Sequence, residues 1–301
     1  MKIYVIIVTY NAMRREWIDR CLQSLEASTV PVEAIVVDNL STDGTREYVP
    51  TKYPNVIWFP QEKNLGFGQA NNVGLRYALD HGADYVMLLN QDASIAPDTI
   101  QVLIHAIGNR NILLSPIQLN GDGTRIDHMF NMTLHNADNS LLDDLLITTH
   151  TEDIYPTGPF AAACWFMPSA IIREIGGFCP LFFHYGEDDD YQFRMQYHGY
   201  RNYVTPKAFI YHDRGMHGDI TMYNKNKVRR ELLICVCNIN LSSGKILYRI
   251  FIQLIKCYIQ YLPCKQYRIG TFTLDICWLL THCRSICRAR KKNKKKGETW
   301  L

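Results

Sequence analysis

Apolar residues run unbroken through residues 86–89 (VMLL) and stop abruptly at Asn90, Gln91 and Asp92. In a chain whose helices and strands alternate, such a run predicts a buried strand that delivers its polar end to the crevice beyond the carboxyl ends of a parallel sheet. Residues 3–8 form a second branched run, which stops at Thr9, Tyr10 and Asn11. Trp17, Cys21, Leu22 and Leu25 then recur at helical spacing, Pro31 restarts the chain, and residues 34–37 predict a strand ending at Asp38 and Asn39. The order is that of a βαβ unit.

The same reading continues down the chain. Ser41, Asp43 and Gly44 mark a turn ahead of a helix at 45–48, and residues 56–59 predict a short strand. A helix is expected from about Phe67 to His81, where Gly82 stops it. Residues 93–97 read as a turn, 98–107 as a helix and 113–119 as extended. From 120 to 153 the periodicity fades, which predicts long loops or irregular strands. A strand within 158–167, a short helix at 168–175, a helix holding Asp189 and Asp190 in its first turn, and a strand at 208–211 complete a first domain, 1–222. Three helical stretches follow, at 225–238, 246–262 and 269–280, so 223–301 is expected to be a separate helical region.

Composition changes this picture at the C-terminus. Hydrophobic content of 47% and charged content of 20% over 301 residues are those of a globular chain with a sizeable core. Residues 284–301 hold eight Lys or Arg and one Glu, a net +7 in a chain of net +3, so the remainder is acidic. That distribution argues against nucleic acid as a partner of the main domain. No helical stretch reaches the ~20 clean apolar residues of a membrane span. Amphipathic helices followed at once by basic residues instead predict attachment to an anionic membrane surface. The ten cysteines show no CxxC spacing and the first residues do not read as a signal peptide, so reduced cytosolic thiols are expected. The implied location is peripheral, on the inner face of the plasma membrane.

The polar strand ends carry the candidate chemistry. Asp92 is a hard oxygen ligand suited to Mg2+ or Mn2+, and an ion held there would in turn hold phosphates. His212, at the end of a late strand, is a candidate to complete the metal shell with His217 as its rival, and Arg214 is a candidate phosphate contact. Thr9, Asn11 and Asp38 are available to a nucleotide base and ribose; the competing reading is that Asn11 and Asp38 only cap helices. Asn64 and Gly66 precede a helix start, a suitable place for a sugar or phosphate group. No glycine precedes Gly44, which excludes a dinucleotide fold, and no GK[ST] follows the later glycines, which excludes a Walker loop. Glu187, Asp188, Asp189 and Asp190 repel one another. They read either as a solvated helix cap or as the source of a general base.

Five segments, in this order, carry a family resemblance: IIVTYN at 6–11, VVDNLSTDGT at 36–45, NLGFGQANNVG at 64–74, LLNQDA at 88–93 and GGFCPLFFHYGEDDDYQFR at 176–194. Over roughly residues 3–215 the chain resembles the family 2 inverting glycosyltransferases of the GT-A fold, particularly the rhamnosyltransferase-like branch that builds bacterial surface polysaccharides such as O-antigen. The resemblance implies an α/β fold with a Rossmann-like, mixed but mostly parallel sheet and flanking helices, followed here by C-terminal amphipathic helices and a basic tail. It implies that Thr9, Asn11 and Asp38 hold the nucleotide, that Asn90 and Asp92 stand at the two ends of the family's DxD motif, and that His212 supports the metal site. Asp188 would be the catalytic base, and Asn90 departs from the aspartate usual at its position. The implied donor is dTDP-rhamnose first and a UDP-hexose (galactosyl or glucosyl) next; the implied acceptor is a saccharide linked to a polyprenyl diphosphate, and a homo-oligomer stays open. A glycoside hydrolase, a nucleotidyltransferase and a non-catalytic membrane scaffold are the competing classes, none of which explains all five segments.

Overall fold

A computed structural model describes residues 1–135, 137, 140–148, 150–214, 227–261 and 269–301. His217, the rival metal ligand, lies outside the described residues.

The first half is built as the periodicity predicts. Strand β1 (Ile3–Thr9) pairs in parallel with β2 (Glu33–Asp38), and β3 (Ile57–Pro60) pairs in parallel with β2. On the other side of β1, β4 (Tyr85–Leu89) is also parallel. Helices α1 (Trp17–Glu26), α2 (Thr45–Lys52) and α3 (Phe67–Asp80) make the crossovers, as parallel neighbours require. Alternate residues of β1 face two different cores: Tyr4 and Ile6 join the layer under α3, while Ile3, Val5 and Ile7 join the layer under α1 and α4 (Thr99–Ile107). A strand buried on both faces has no polar side, which is why its sequence is a continuous apolar run.

Beyond β4 the sheet mixes its directions. The strand order is β3-β2-β1-β4-β8-β6-β9-β5, with β7 on the side of β9. Here β5 is Ala93–Ile95, β6 Leu113–Asn120, β7 Tyr155–Thr157, β8 Cys164–Pro168 and β9 Asn202–His212. Strand β8 runs antiparallel to both β4 and β6, β6 and β9 are parallel, and β5 and β7 are antiparallel to β9.

Two segments differ from expectation. Residues 93–95, read as part of a turn, form β5 because β9 extends far enough to offer Ile210, Tyr211 and His212 as backbone partners. The polar stretch after β6 holds helix α5 (His128–His135) and a further helical turn at Leu141–Asp143, with Phe130 and Leu134 turned into the core four residues apart. Leu141 joins them there, while Met129 and Met132 stay exposed, so the apolar positions of this stretch do not trace one buried face.

Two helices flank the acidic cluster, α6 (Ser169–Ile175) before it and α7 (Glu187–Tyr197) beginning with it. The C-terminal region supplies α8 (Lys227–Cys237), α9 (Ser243–Tyr261), α10 (Ile269–Thr281) and α11 (Cys283–Asn293). Leu232 and Leu233 of α8, Leu279 of α10 and Ile286 of α11 share a third core with Cys179 and Phe182, just ahead of the acidic cluster. No helix among the described residues is long and apolar enough to cross a membrane.

Candidate active site

The crevice opens where β1, β2 and β4 end side by side. Parallel pairing of β1 with β2 sets Thr9 beside Asp38. The Thr9 hydroxyl donates to Asp38 Oδ1 at 3.2 Å, the Ser41 amide donates to Oδ2 at 3.2 Å, and Arg46 Nε stands 3.3 Å from the same oxygen. Thr9 and Asp38 are fully buried. Asn11 sits at φ +53°, a left-handed turn in which Asn is among the better tolerated residues. Its Oδ1 accepts from the Thr42 amide at 2.8 Å, and its own amide donates to Ser41 Oγ at 2.9 Å. These three predicted nucleotide residues therefore form one knot that fixes the loops after β1 and β2. Arg46, which sequence reasoning missed, is the cation that balances Asp38.

Asn64 and Gly66 shape the next loop. Asn64 Oδ1 accepts from Asn39 Nδ2 at 3.0 Å and from the Gly66 amide at 2.9 Å. Gly66 has φ +77°, and a Cβ there would lie 1.9 Å from the carbonyl oxygen of Phe183. Only glycine lets the start of α3 pass this close to the segment that leads into the acidic helix.

The end of β4 gathers a different set. Gln91 uses both ends of its amide on the backbone of Tyr10, accepting at 2.8 Å and donating at 3.1 Å. His212, brought alongside by the pairing of β5 with β9, places Nε2 3.3 Å from Asp92 Oδ1 and 3.4 Å from the Asn90 side-chain amide. His212 is buried, yet its Nδ1 has no hydrogen-bond partner, and neither has Asn90 Oδ1. Three donor-bearing side chains thus converge with buried polar atoms left over, an arrangement that fits a cation. Among the described residues there is no group of three His, Cys, Asp or Glu able to cage one. One carboxylate and one imidazole, with an amide beside them, suit a hard divalent ion that keeps its other positions for water and phosphate oxygens. Arg214, predicted to meet phosphate, instead has its Nε 3.0 Å from the buried carboxylate of Asp127. Asp213, between them, ties Arg20 (2.9 Å) and Trp17 Nε1 (3.1 Å) of α1 to this end of β9.

The four carboxylates separate by environment. Asp190 is buried against Arg194, 3.1 Å away and equally buried. Glu187 is buried with Oε2 unpartnered; burial first, and then the neighbouring Asp188 charge, push its carboxyl up to about 8. Asp189 is half-buried and is pushed up to about 7 by burial and by Asp188, against the pull of Arg230. Asp188 is also half-buried; burial raises it, opposed by backbone amides that include Gly186 and Ala162. Ala162 matters because the next residue, Ala163, accepts from the Asn90 amide at 3.0 Å. Residues 162–163 thus run along the polar end of β4. Residues 158–167, which mix small side chains with bulky aromatics, read from the sequence as a strand passing close beneath a pocket, and Ala162 and Ala163 belong to that stretch.

Glu187 gives a direct test of this sorting. A carboxyl raised from 4.5 to about 8 on folding makes the fold lose stability as pH climbs through that interval, because the unfolded chain ionises first. Glu187→Gln is expected to reduce that loss, so that its melting temperature gains on the wild type between pH 5 and about 8. Parallel melting curves for the two proteins across that range would contradict a buried, protonated Glu187.

Residues 4–162 match the family described as Glycosyl transferase family 2. The chain is 28% identical over 233 residues, 70% of its own length and 75% of the other's, to the N-acetylglucosaminyl-diphospho-decaprenol L-rhamnosyltransferase of Mycobacterium tuberculosis. It is 29% identical over 121 residues, 40% of each chain, to the dTDP-rhamnosyl transferase RfbF of Shigella flexneri. Among solved structures, the mannosyltransferase PcManGT from Pyrobaculum calidifontis in complex with GDP-Man and Mn2+ superposes with a TM-score of 0.58 at 15% identity, covering 97% of this chain and 86% of that one. The structural likeness identifies the fold as GT-A.

Proposed function

Since this chain belongs to glycosyltransferase family 2, we propose that it is an inverting transferase that moves rhamnose from dTDP-rhamnose to a hydroxyl of a saccharide carried on a polyprenyl diphosphate. The single observation that carries the reading is the convergence of Asp92 and Asn90 on His212, at 3.3 and 3.4 Å, at the end of β4. One end of such a crevice suits a diphosphate and the other suits a base. The rhamnosyl and polyprenyl parts are supported by the kinship with the decaprenol-linked enzyme and with RfbF.

The roles follow from the geometry. Asp92 and His212 would hold Mg2+ or Mn2+, with Asn90 alongside; a bound ion supplies positive charge to the departing nucleoside diphosphate. The knot of Thr9, Asn11 and Asp38 would receive the nucleotide base and ribose, and the turn at Asn64 and Gly66 would border the donor. Arg214 pairs with Asp127 through Nε, so any hold on phosphate would come from the other N–H groups of its guanidinium. Asp188 would take the proton of the attacking acceptor hydroxyl, which makes a covalent sugar intermediate unnecessary.

A membrane-facing surface completes the reading. Leu247, Tyr248 and Phe251 of α9 and Leu274 and Leu280 of α10 are exposed, and so are Arg284, Arg288 and Lys291 of α11. Apolar side chains beside basic ones suit peripheral binding to an anionic bilayer, the inner face of the plasma membrane in this proposal, where a lipid-linked acceptor lies.

The deciding experiment is titration of the protein with dTDP-rhamnose, UDP-glucose, UDP-galactose and UDP-N-acetylglucosamine, each with and without Mn2+. Saturable, Mn2+-strengthened binding of dTDP-rhamnose is expected. Preference for a UDP-hexose would replace the donor and keep the reaction, whereas silence across the panel would favour a non-catalytic surface protein.

A further inference from the structure

The basic C-terminal segment does not trail away from the fold. Asn293, at the end of α11, is buried and donates from Nδ2 to Asp190 Oδ1 at 3.3 Å, while its carbonyl oxygen lies 3.0 Å from Nε2 of His198, the residue that closes α7. One residue thus touches the acidic helix at both ends. Asn293 is itself held by Trp300, whose Nε1 donates to Asn293 Oδ1 at 2.7 Å under the ammonium of Lys292, 3.9 Å above the ring.

The last residues then return to the catalytic domain. The Trp300 carbonyl accepts from Asn72 of α3 at 3.1 Å, and the same Asn72 amide clasps the backbone of Phe178 at 2.9 and 2.7 Å. Thr299 accepts from the Gly177 amide at 2.7 Å, and Glu298 bridges Arg76 and Arg173 at 2.9 Å each. Arg194, the buried partner of Asp190, reaches the same stretch by donating to the carbonyls of Ile175 and Gly177 at 2.8 and 2.7 Å.

We infer that residues 290–301 are a positioning element for α7, with Asn293 and Trp300 setting the direction in which Asp188 faces. The geometry of a helix supplies the link. Residues two apart point about 200° away from each other, so a locked Asp190 fixes Asp188 on the opposite, crevice side. The buried ion pair of Asp190 with Arg194 is intolerant of a lost partner, and Asn293 is the group that satisfies the second carboxylate oxygen. The outward face of the same segment keeps Lys294 and Lys295 exposed, so membrane attachment and helix positioning use different side chains of one strap.

This inference rests on the assignment of Asp188 as base, and its test has an arm independent of that assignment. The experiment measures hydrogen exchange and steady-state kinetics on the full chain carrying Asn293→Ala, Trp300→Phe or, as a control, Lys294→Ala with Lys295→Ala. Trp300→Phe keeps an aromatic ring in place while removing the Nε1 donor, so it stays informative should Asn293→Ala fold poorly. Both strap variants are expected to speed exchange in peptides over 187–194 by about tenfold and to leave peptides over 3–9 and 33–38 unchanged. They should lower kcat about tenfold or more, with the donor KM moving less than about twofold, as expected when a reacting group is misaimed. The lysine variant should weaken binding to vesicles containing anionic lipid and leave exchange over 187–194 unchanged. Unaltered exchange over 187–194, or equal acceleration throughout the chain, overturns the inference. Localised acceleration in a protein that binds no nucleotide sugar leaves the strap standing and removes the transferase reading instead.

Discussion

Asp188→Asn lowers kcat by about 100- to 10,000-fold, the span ordinarily supplied by a positioned general base, and leaves the donor dissociation constant unchanged. The substitution keeps the size of the side chain and removes its capacity to take a proton. The Asp189 amide donates to Asp188 Oδ1 at 3.0 Å, an acceptor that the Asn side chain retains, so the helix start keeps its cap. The neighbouring Asp190 carries the ion pair with Arg194, and the packing of α7 runs through Tyr191 and Met195, both fully buried. The pH profile adds a second criterion. Burial holds the Asp188 carboxyl above its ordinary 3.8, and the base acts only when ionised. Activity of the wild type should therefore rise with pH through a limb lying above the usual carboxylate range, and the residual activity of Asp188→Asn should lack that limb. Full turnover in the variant, or a limb unchanged by it, would transfer the role to Asp189. That residue is half-buried on the same turn, with Arg230 acting on its charge.

The second large effect belongs to Asp92. Asp92→Ala should abolish the strengthening of donor binding by Mn2+, a loss of at least about 10- to 100-fold, since removing even a supporting partner of a metal site costs that much. The fold should survive it. The link from this position to β9 is backbone, with the Asp213 amide donating to the Asp92 carbonyl at 2.8 Å and Ala93 paired with His212. His212 would remain without its carboxylate, 3.4 Å from Asn90. A Mn2+ titration identical to that of the wild type would remove Asp92 from the diphosphate end and with it the argument from the convergence of these side chains. A melting temperature close to that of the wild type is the control that keeps the result interpretable.

The two variants address opposite ends of one crevice, and the strap variants address the support behind it. Together they separate three ways of losing transfer: no proton acceptor, no hold on the diphosphate, and a base that faces the wrong way.

What the sequence determined by itself is the frame. The apolar runs at 3–8 and 86–89 and the spacing of Trp17, Cys21, Leu22 and Leu25 report burial directly, because a central parallel strand is covered on both faces and a helix on one. Those runs break off at Thr9, Asp38 and Asn90 to Asp92, and parallel pairing of β1 with β2 and with β4 sets these ends side by side. The four adjacent carboxylates announced a local conflict of charge, although the sequence could not say which of them was structural. Tertiary structure sorted them: Arg194 claimed Asp190, burial raised the carboxyl of Glu187, and Asp188 stayed half-buried. Only the fold could turn residues 93–95 into an edge strand, pair Arg214 with Asp127, and bring Asn293 and Trp300 back from the far end of the chain to the acidic helix α7. Periodicity records how deeply a face is buried. It holds no record of which distant hydrogen-bonding group will meet that face, and in this protein the direction of the proposed base depends on that meeting.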